Sequence, residues 1–289
     1  MVVAKLAGGL GNQLFQYAAG RALSIRLGVP LRVEASGYGP ACDRPIHLDR
    51  FNIQAGKLSV ARPLQDIWTR RPFYSVAKRL DRLHLHLRYR VLEDSYNGFD
   101  ARFLSISGRV YLQGYWQSER YFQPVAHLVR RELTLRDPPG AENAALLEKI
   151  DSVEAVALHV RRGDYLSGNH LVRYCPLGLD YYRQAMDRLT ARLRAPHYFI
   201  FSDDPVWTRE NIRPAAPVTY VTHNLGDRDF EDLRLMARCR HFIIANSSFS
   251  WWGAWLGENP ARQVIAPRSW AQESEAMTRE RIPADWHIM

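Results

Sequence analysis

The second half of the chain alternates β-prone apolar runs with segments of helical periodicity, and this pattern constrains the fold most. The apolar runs predict five strands, at residues 153–160, 197–202, 218–221, 241–245 and 264–266. The periodic segments between them predict helices at residues 179–193, 230–238 and 248–256. Strands that alternate with helices form parallel sheets covered by those helices. The sequence therefore predicts an α/β fold in this half.

The start of the chain predicts a second unit of the same kind. Residues 2–7 form a strand-like run, and a glycine loop at 8–11 leads into a helical pattern that ends at Gly28. Residues 31–35 predict the next strand, which completes a βαβ opening. Backbone N–H groups of the loop could face a phosphate. However, Leu14 stands where the dinucleotide fingerprint needs a glycine, so a tight structural turn is the alternative.

The length of 289 residues suffices for two hydrophobic cores. Composition changes at 137–140, where an aspartate, two prolines and a glycine follow one another. We therefore predict an N-terminal domain over 1–145 and a C-terminal domain over 146–289. The last segment is a candidate to pack back on the first domain. A cleft between two domains is a common place for a ligand site.

The formal net charge is +9, from 39 Lys and Arg against 30 Asp and Glu. This charge suits a nucleotide, a nucleic acid or an acidic membrane surface. The basic residues are scattered over both halves without a groove-reading module, which argues against a nucleic-acid partner. The segment 77–90 interleaves basic residues with leucines. It is either a solvated helix face or a peripheral contact with the inner membrane surface.

Cysteine usage and the apolar runs indicate the compartment. Cys42, Cys175 and Cys239 are isolated and odd in number, and they lack the spacing of zinc ligands. The N-terminal residues lack the pattern of a signal peptide. The sequence contains no run of about 18 apolar residues, which is the length that a membrane-spanning helix needs. We therefore predict a cytoplasmic protein without a metal site.

Three polar motifs follow strands of the second half directly. They are HVRRGDY at 159–165, FSDD at 201–204 and NSSFSWW at 246–252. The carboxyl ends of parallel strands meet at one edge of a sheet, where open α/β sheets bind their ligands. We therefore expect the three motifs to form one site for an anion.

HVRRGDY supplies the cations of this site. Successive residues of an extended strand point to opposite sides, so Arg161 shares a side with His159 and Arg162 does not. An arginine fork makes charge-assisted hydrogen bonds to a diphosphate. The alternative is that the arginines form a structural ion pair with Asp164.

FSDD allows three interpretations. Asp203 and Asp204 could accept hydrogen bonds from the N–H donors of guanine, or they could bind a divalent cation. Ser202 and Asp203 could equally cap the helix that begins near Pro205, because Ser and Asp are preferred caps and Pro is preferred in the first turn.

NSSFSWW places hydroxyls and backbone N–H groups just before a helix. The hydroxyls belong to Ser247, Ser248 and Ser250. The dipole at a helix N-terminus favours an anion. This motif therefore predicts a second contact for the same anionic ligand.

GYWQSERYF at 114–122 is dense in aromatic residues and follows a predicted strand at 110–113. Tyr115, Trp116 and Gln117 could stack on a sugar and hydrogen-bond to it. Core packing is the default role for such rings.

These motifs resemble those of a known family. GGLGNQLFQYAAGRALS near the start, GYWQSERYF, LHVRRGDY, FSDD and CRHFIIANSSFSWWGAWL occur in the order found in the α-1,2-fucosyltransferases of glycosyltransferase family 11. The resemblance covers nearly the whole chain, and several long motifs in register are a strong signal.

The resemblance implies a GT-B-type fold, in which two facing Rossmann-like domains each contain a parallel sheet. It implies that the C-terminal domain holds the donor, GDP-β-L-fucose. It also implies transfer of L-fucose, with inversion, to the 2-hydroxyl of a terminal galactose in an acceptor glycan. Neither a cofactor nor a metal ion is expected.

The resemblance also assigns site residues, with Arg161 as the donor-diphosphate arginine. The predicted catalytic residues are Arg161, Asp164 and Glu34. Asp164 and Glu34 are candidate bases from the chemistry of the transfer, since the resemblance itself gives no base. The predicted acceptor residues, taken from the aromatic motif, are Tyr115, Trp116 and Gln117. The predicted donor-binding residues are Gly11, Asn12, Gln13, His159, Arg161, Ser202, Asp203, Asp204, Asn246, Ser247, Ser248 and Phe249.

Two other functions stay open from the residues themselves. In a metal-dependent nucleotide-sugar glycosyltransferase of other specificity, Asp203 and Asp204 would carry the cation. A nucleic-acid binding protein is the remote alternative, and it rests on the net charge alone.

Overall fold

A computed structural model describes residues 1–38, 44–58, 79, 83, 86, 88–94, 98–166, 176–224, 226–271 and 274–289. The chain divides into two compact units, Met1–Thr134 and Leu135–Met289. This division lies before the predicted boundary at residue 145, which would have cut through a helix at Ala141–Ser152. That helix packs on the sheet of the second unit, so it belongs there. The predicted basic segment 77–90 lies largely outside the described residues.

Unit 1 contains a parallel sheet with strand order β3-β2-β1-β5-β4. Its strands are β1 Val2–Lys5, β2 Leu31–Glu34, β3 Gly56–Leu58, β4 Arg90–Glu93 and β5 Val110–Gln113. Its described helices are α1 Leu10–Leu27, α2 Arg102–Ser105 and α3 Ala126–Glu132, and short 3-10 turns lie at Leu48–Arg50, Glu119–Tyr121 and Gln123–Val125. The predicted βαβ opening is therefore confirmed, with the helix beginning at Leu10 and ending before Gly28.

A buried ionic network fixes α3 against α1. The Arg21 guanidinium donates to both carboxylate oxygens of Glu132, and the Tyr17 hydroxyl donates to Glu132 Oε2. The Tyr17 oxygen in turn accepts from the backbone N–H of Gln54. Because Glu132 is buried, these hydrogen bonds replace the hydration that its charge loses. Burial raises the pKa of the Tyr17 hydroxyl above its ordinary value.

Unit 2 contains a parallel sheet of the order β11-β10-β9-β6-β7-β8. Its strands are β6 Glu154–Val160, β7 Pro196–Ser202, β8 Val218–Val221, β9 His241–Ile243, β10 Val264–Ala266 and β11 His287–Ile288. Its described helices are α4 Ala141–Ser152, α5 Leu179–Thr190, α6 Pro205–Asn211, α7 Asp229–Arg238, α8 Ser248–Leu256 and α9 Glu275–Arg281. The predicted parallel α/β class is confirmed. The last segment, a candidate to pack on the first domain, adds β11 to this sheet.

The alternation of β6 separates two faces of this sheet. Val156, Leu158 and Val160 belong to a buried cluster with Tyr182 and Met186 of α5. The residues between them face the other side, where His159 contacts Phe249 of α8. The alternation thus directs His159, and Arg161 after it, away from the α5 core.

In the part of the chain that the structure describes, none of the helices is both long enough and apolar enough to cross a bilayer.

Candidate functional site

Three loops of unit 2 leave the sheet at its carboxyl edge and meet there. In the sheet register, Val160 of β6 pairs with Ser202 of β7, and Leu158 pairs with Ile243 of β9. Continued past the strand ends, this register brings the residues after β6, β7 and β9 level with one another. The expectation that HVRRGDY, FSDD and NSSFSWW share one sheet edge is therefore confirmed.

Arg161 is oriented by two side chains of these loops. Its Nη1 atom lies 3.1 Å from Oδ2 of Asp203. Its guanidinium carbon lies 5.6 Å from the ring centroid of Tyr165. The Arg161 side chain is 20% exposed, so the cation is held in place but still reaches solvent. The structure pairs Arg161 with Asp203, whereas the predicted structural partner was Asp164, whose side chain lies outside what the structure describes.

Asp203 also holds the backbone of the loop after β6. Its Oδ1 accepts from the backbone N–H of Arg162 at 2.9 Å, and its Oδ2 accepts from the backbone N–H of Gly163 at 3.1 Å. A Cβ atom at residue 163 would lie only 2.9 Å from Asp203 Oδ2. Glycine at this position therefore lets the carboxylate approach the backbone closely.

Asp204 is the cap of helix α6. Its Oδ1 accepts from the backbone N–H of Trp207 at 3.2 Å, and Pro205 occupies the first turn. Ser202 stabilises the same turn, because its hydroxyl oxygen accepts from the backbone N–H of Asp204. The prediction of a helix cap in FSDD is thus confirmed, but the residue was wrong. Asp203 is engaged with the loop after β6 instead.

Arg162 packs against the first turn of α6. Its guanidinium carbon lies 3.6 Å from the ring centroid of Trp207, and its Nε lies 3.4 Å from Oδ2 of Asp204. A cation over the face of an indole is favourable. The two arginines therefore have different partners, as the strand alternation predicts, and Arg162 fastens the loop to α6.

The loop after β9 is fastened in the same way. Asn246 Nδ2 donates to the carbonyl oxygen of Trp270 at 3.0 Å, and the carbonyl oxygen of Asn246 accepts from the Tyr165 hydroxyl at 2.9 Å. Ser250 is fully buried, and its hydroxyl donates back to the carbonyl oxygens of Ala245 and Ser247. Ser250 is therefore structural.

Ser247, Ser248 and Phe249 begin helix α8 beside this loop. Ser247 is its cap residue and makes no side-chain cap hydrogen bond. Ser248 and Phe249 are partly exposed. The first backbone N–H groups of a helix have no intrahelical acceptor, so this end of α8 can contribute donors to an anion.

His159 lies behind this helix end and is uncharged. Its ring centroid lies 5.4 Å from that of Phe249, and its Nδ1 has no partner among the described residues. Burial, assisted by the nearby charge of Arg161, lowers the pKa of His159 to about 3. The positive charge at this edge therefore belongs to Arg161 and Arg162, while the His159 imidazole is neutral.

The predicted donor residues of unit 1 lie on the first turn of α1. The Gln13 side chain is buried and occupied, because Nε2 donates to the carbonyl oxygen of Pro45 and Oε1 accepts from the backbone N–H of His47. Gly11 precedes it on the same turn and is also buried. Asn12 Oδ1 accepts from Gln117 Nε2 at 2.8 Å, so Asn12 joins α1 to the loop after β5.

Trp116 is a core residue of unit 1. It is 1% exposed, and its ring packs against those of Phe103 and Tyr121. Its φ angle is +55°, and Asp94 Oδ2 accepts from the backbone N–H groups of Trp116 and Tyr115. The proposed stacking of Trp116 on an acceptor sugar is therefore wrong for this conformation, because no face of the ring reaches solvent.

Glu34 is buried in unit 1 with both carboxylate oxygens occupied. Oε1 accepts from the backbone N–H of Ser36 at 2.6 Å, and Oε2 accepts from the Tyr111 hydroxyl at 2.8 Å. These hydrogen bonds fix the carboxylate between β2 and β5. A role for Glu34 as a base stays a prediction.

No group of three or more His, Cys, Asp and Glu side chains that could hold a metal ion occurs among the residues that the structure describes. The sequence interpretation missed Gly163, Tyr165 and Trp207, which hold the two arginines in place. Gly163 and Tyr165 belong to the HVRRGDY motif. The sequence did not indicate their partners, Asp203 and Asn246, because these lie far away in the chain.

Comparisons with known proteins identify the family of this chain. The family model for glycosyl transferase family 11 matches residues 76–288. The chain belongs to glycosyltransferase family 11. An α-1,2-colitosyltransferase of Escherichia coli is 31% identical over 99% of this chain and 98% of its own length. The O-antigen biosynthesis glycosyltransferase WbnK of Escherichia coli is also 31% identical, over 92% of this chain and 93% of its own length.

A further relative matches about half of the chain, and two solved structures are similar in fold. Human galactoside α-(1,2)-fucosyltransferase 1 is 31% identical over 50% of this chain and 42% of its own length. The crystal structure of fucosyltransferase NodZ from Bradyrhizobium has a TM-score of 0.51 and 19% identity, covering 87% of this chain and 91% of that chain. An Arabidopsis thaliana FUT1 mutant in complex with GDP has a TM-score of 0.53 and 12% identity, covering 94% of this chain and 71% of that chain. These two structures share the fold, and they confirm the predicted GT-B-type class.

Proposed function

We propose that this family 11 member is an inverting α-1,2-fucosyltransferase, which moves L-fucose from GDP-β-L-fucose to the 2-hydroxyl of a terminal galactose in a glycan. The observation that carries the proposal is the Arg161 guanidinium, held at the carboxyl edge of β6 by Asp203 and Tyr165. Relatives named α-1,2-fucosyltransferase and α-1,2-colitosyltransferase support the linkage and the class of sugar.

Arg161 suits the charge that develops on the leaving group. In a single displacement, the bond between fucosyl C1 and the diphosphate oxygen breaks as the bond from C1 to galactose O2 forms, which inverts the anomeric centre. Negative charge accumulates on the departing GDP. A preorganised arginine and the N-terminal N–H groups of α8 would stabilise it without a cation. We therefore propose that transfer needs neither a metal ion nor a cofactor.

The acceptor hydroxyl must lose its proton as it attacks. Asp164 and Glu34 are the candidate bases, and a weak base suffices where the transition state is dissociative. On the acceptor side, Tyr115 and Gln117 are partly exposed, so these two residues, not Trp116, are proposed to contact the galactoside.

A second candidate differs only in the donor sugar. The E. coli α-1,2-colitosyltransferase matches over nearly the full length of both chains, so colitosyl transfer from a GDP-linked donor fits the same site. Colitose is the 3-deoxy analogue of L-fucose, and the diphosphate chemistry is the same. The two proposed activities differ only in whether the donor sugar carries a 3-hydroxyl group, which the enzyme would have to recognise.

The deciding experiment is product analysis with the purified protein. It is incubated with GDP-fucose or GDP-colitose and a panel of β1,3- and β1,4-galactosides, and the new linkage is assigned by NMR. We expect an α-1,2-fucosylated galactoside. Transfer from GDP-colitose alone would replace fucose by colitose in the proposal. Turnover of UDP- or ADP-sugars instead, or tight binding of short DNA without any transfer, would overturn it.

The matched variants are Arg161→Ala and Arg161→Lys. Arg161→Ala is expected to lower turnover by about a hundredfold or more, since it removes a preorganised donor to the leaving group. Arg161→Lys keeps the charge but loses the fork, so an intermediate loss is expected. Near-normal turnover by a folded Arg161→Ala protein would contradict the role of this residue.

A further inference from the structure

Among the residues that the structure describes, the Asp203 carboxylate has three partners, all in the loop that carries Arg161. Two are the backbone N–H groups of Arg162 and Gly163, at 2.9 and 3.1 Å. The third is Nη1 of Arg161, at 3.1 Å. Charge-assisted hydrogen bonds of this kind are stronger than neutral ones. Asp203 therefore holds the backbone of residues 162 and 163 and the Arg161 guanidinium through a single carboxylate.

The direction of the whole guanidinium follows from this contact. A guanidinium is planar and presents five N–H donors in a rigid fork. Once Nη1 is held on Oδ2 of Asp203 and the group lies near the Tyr165 ring, the direction of its other donors is fixed. Preorganised donors lose less entropy on binding an anion than mobile ones do.

Gly163 makes this arrangement possible. A Cβ atom at that position would meet Oδ2 of Asp203 at 2.9 Å and its Cγ at 3.2 Å. Distances below about 3.0 Å force one group to shift, and here the group that shifts is the carboxylate that holds Arg161. Addition of a methyl group at residue 163 would therefore displace the Asp203 carboxylate without removing its charge.

We propose that Asp203 is a positioning residue, which sets Arg161 and the 162–163 backbone for the diphosphate of the donor and does not read the guanine base. This inference rests on the proposed function and deepens it. It departs from the interpretation in which Asp203 accepts hydrogen bonds from guanine, because the contacts of Asp203 in the structure are with the loop that carries Arg161. Asp203 acts through Arg161, so its removal should weaken diphosphate binding for any base.

The test compares nucleotide affinities by isothermal titration calorimetry for GDP, GMP and IDP. The ratio of GDP to GMP affinity measures the contribution of the second phosphate. The ratio of GDP to IDP affinity measures recognition of the guanine 2-amino group, which hypoxanthine lacks. Asp203→Asn is expected to reduce the GDP affinity roughly tenfold or more, with the GDP to GMP ratio falling and the GDP to IDP ratio unchanged.

Two further variants keep the proposal falsifiable if Asp203→Asn misfolds. Gly163→Ala should lower the GDP to GMP ratio in the same way without any change of charge. In the Arg161→Ala background, Asp203→Asn should lower the GDP affinity by a smaller factor than it does in the wild type, since the guanidinium through which Asp203 acts is already missing. Additive losses would assign Asp203 its own ligand contact.

Asp151→Asn is the matched control. It breaks another Arg–Asp pair of unit 2, in which Arg238 Nε lies 2.6 Å from Asp151 Oδ1, at an exposed surface. It should leave all three nucleotide affinities unchanged. The proposal is overturned if Asp203→Asn abolishes the preference for GDP over IDP while the GDP to GMP ratio stays normal. None of these measurements uses sugar transfer, so a failed transfer assay with intact diphosphate binding would refute the proposed function alone.

Discussion

The Tyr165 hydroxyl donates a hydrogen bond to the backbone carbonyl oxygen of Asn246 across 2.9 Å. This contact joins the loop after β6 to the loop after β9, although the two residues lie 81 positions apart. Tyr165 is buried, and its ring also lies beside the Arg161 guanidinium. One side chain thus fixes the spacing between the arginine and the start of α8.

Replacement of Tyr165 by phenylalanine removes this hydrogen bond and keeps the ring beside Arg161. We expect a loss of about 1 kcal/mol in the free energy of unfolding, which lowers the Tm by about 2–4 °C in a chain of this size. The GDP affinity should fall by a factor of about three to ten, because the two halves of the anion site lose their fixed spacing. Thermal unfolding and GDP titration measure both effects. An unchanged GDP affinity would show that the spacing is set elsewhere.

Trp116→Ala tests whether this residue belongs to the core or to the acceptor site. Since Trp116 is fully buried among aromatic rings, its truncation should cost about 3–5 kcal/mol of stability. Denaturant unfolding measures this loss. Tyr115→Ala is the matched control on the partly exposed neighbour, and it should raise the acceptor KM with a much smaller loss of stability. A stable Trp116→Ala protein with a raised acceptor KM would contradict the core role and support acceptor binding by Trp116.

The sheet of unit 2 could be predicted closely from sequence because its strands are short apolar runs bounded by polar residues or proline. The predicted strands at 218–221 and 264–266 and the helix at 248–256 have the observed bounds. The meeting of the three motifs at one edge also follows from the parallel order of the strands. Periodicity and connection rules are local properties, so one sequence is enough to show them.

The partners of individual side chains could not be predicted in the same way. Asp203 and Arg161 are 42 positions apart, and their contact depends on the register between β6 and β7. Trp116 follows the end of a strand, a position where binding residues are common. However, its φ angle is +55°, its backbone N–H donates to Asp94, and its ring points into the core. Both features depend on contacts between distant segments, which no spacing in a single sequence reveals.

Acid should destabilise the protein through His159. Its pKa is about 3 in the folded chain, against an ordinary value of 6.5, so the unfolded chain binds a proton that the folded chain excludes. Stability therefore falls as the pH drops from about 6.5 towards 3, by up to about 1.4 kcal/mol per pH unit from this group. His159→Phe should remove this slope, measured by urea unfolding between pH 7 and 4 as a difference from the wild type. If the free energies of unfolding of the wild type and His159→Phe changed equally between pH 7 and 4, the claim that the His159 imidazole is buried and neutral would be contradicted.

Chelation tests the proposed independence from metal ions. Arg161 and the N-terminal N–H groups of α8 are proposed to take up the charge of the leaving GDP, so transfer should proceed at its full rate in EDTA. The measurement is the initial rate of transfer with and without chelator, followed by addition of Mg²⁺ or Mn²⁺. Loss of activity in EDTA with recovery in Mn²⁺ would move the function to the metal-dependent alternative, in which Asp203 and Asp204 carry the cation.

Asp232 should make the stability of unit 2 depend on pH near neutrality. It lies partly buried in α7, where Asn224 donates to its Oδ1, and burial together with Asp229 and Glu231 raises its pKa to about 7. The folded chain then holds a proton that the unfolded chain releases near pH 3.8, so the stability from this group is full below that pH and is lost as the pH rises through about 7. Asp232→Asn keeps the hydrogen bond without the charge. Its free energy of unfolding, relative to the wild type, should therefore be about 2 kcal/mol higher at pH 8 than at pH 5. Asp227→Asn, at an exposed carboxylate before the same helix, should show no such difference, and equal shifts in both variants would contradict the assignment.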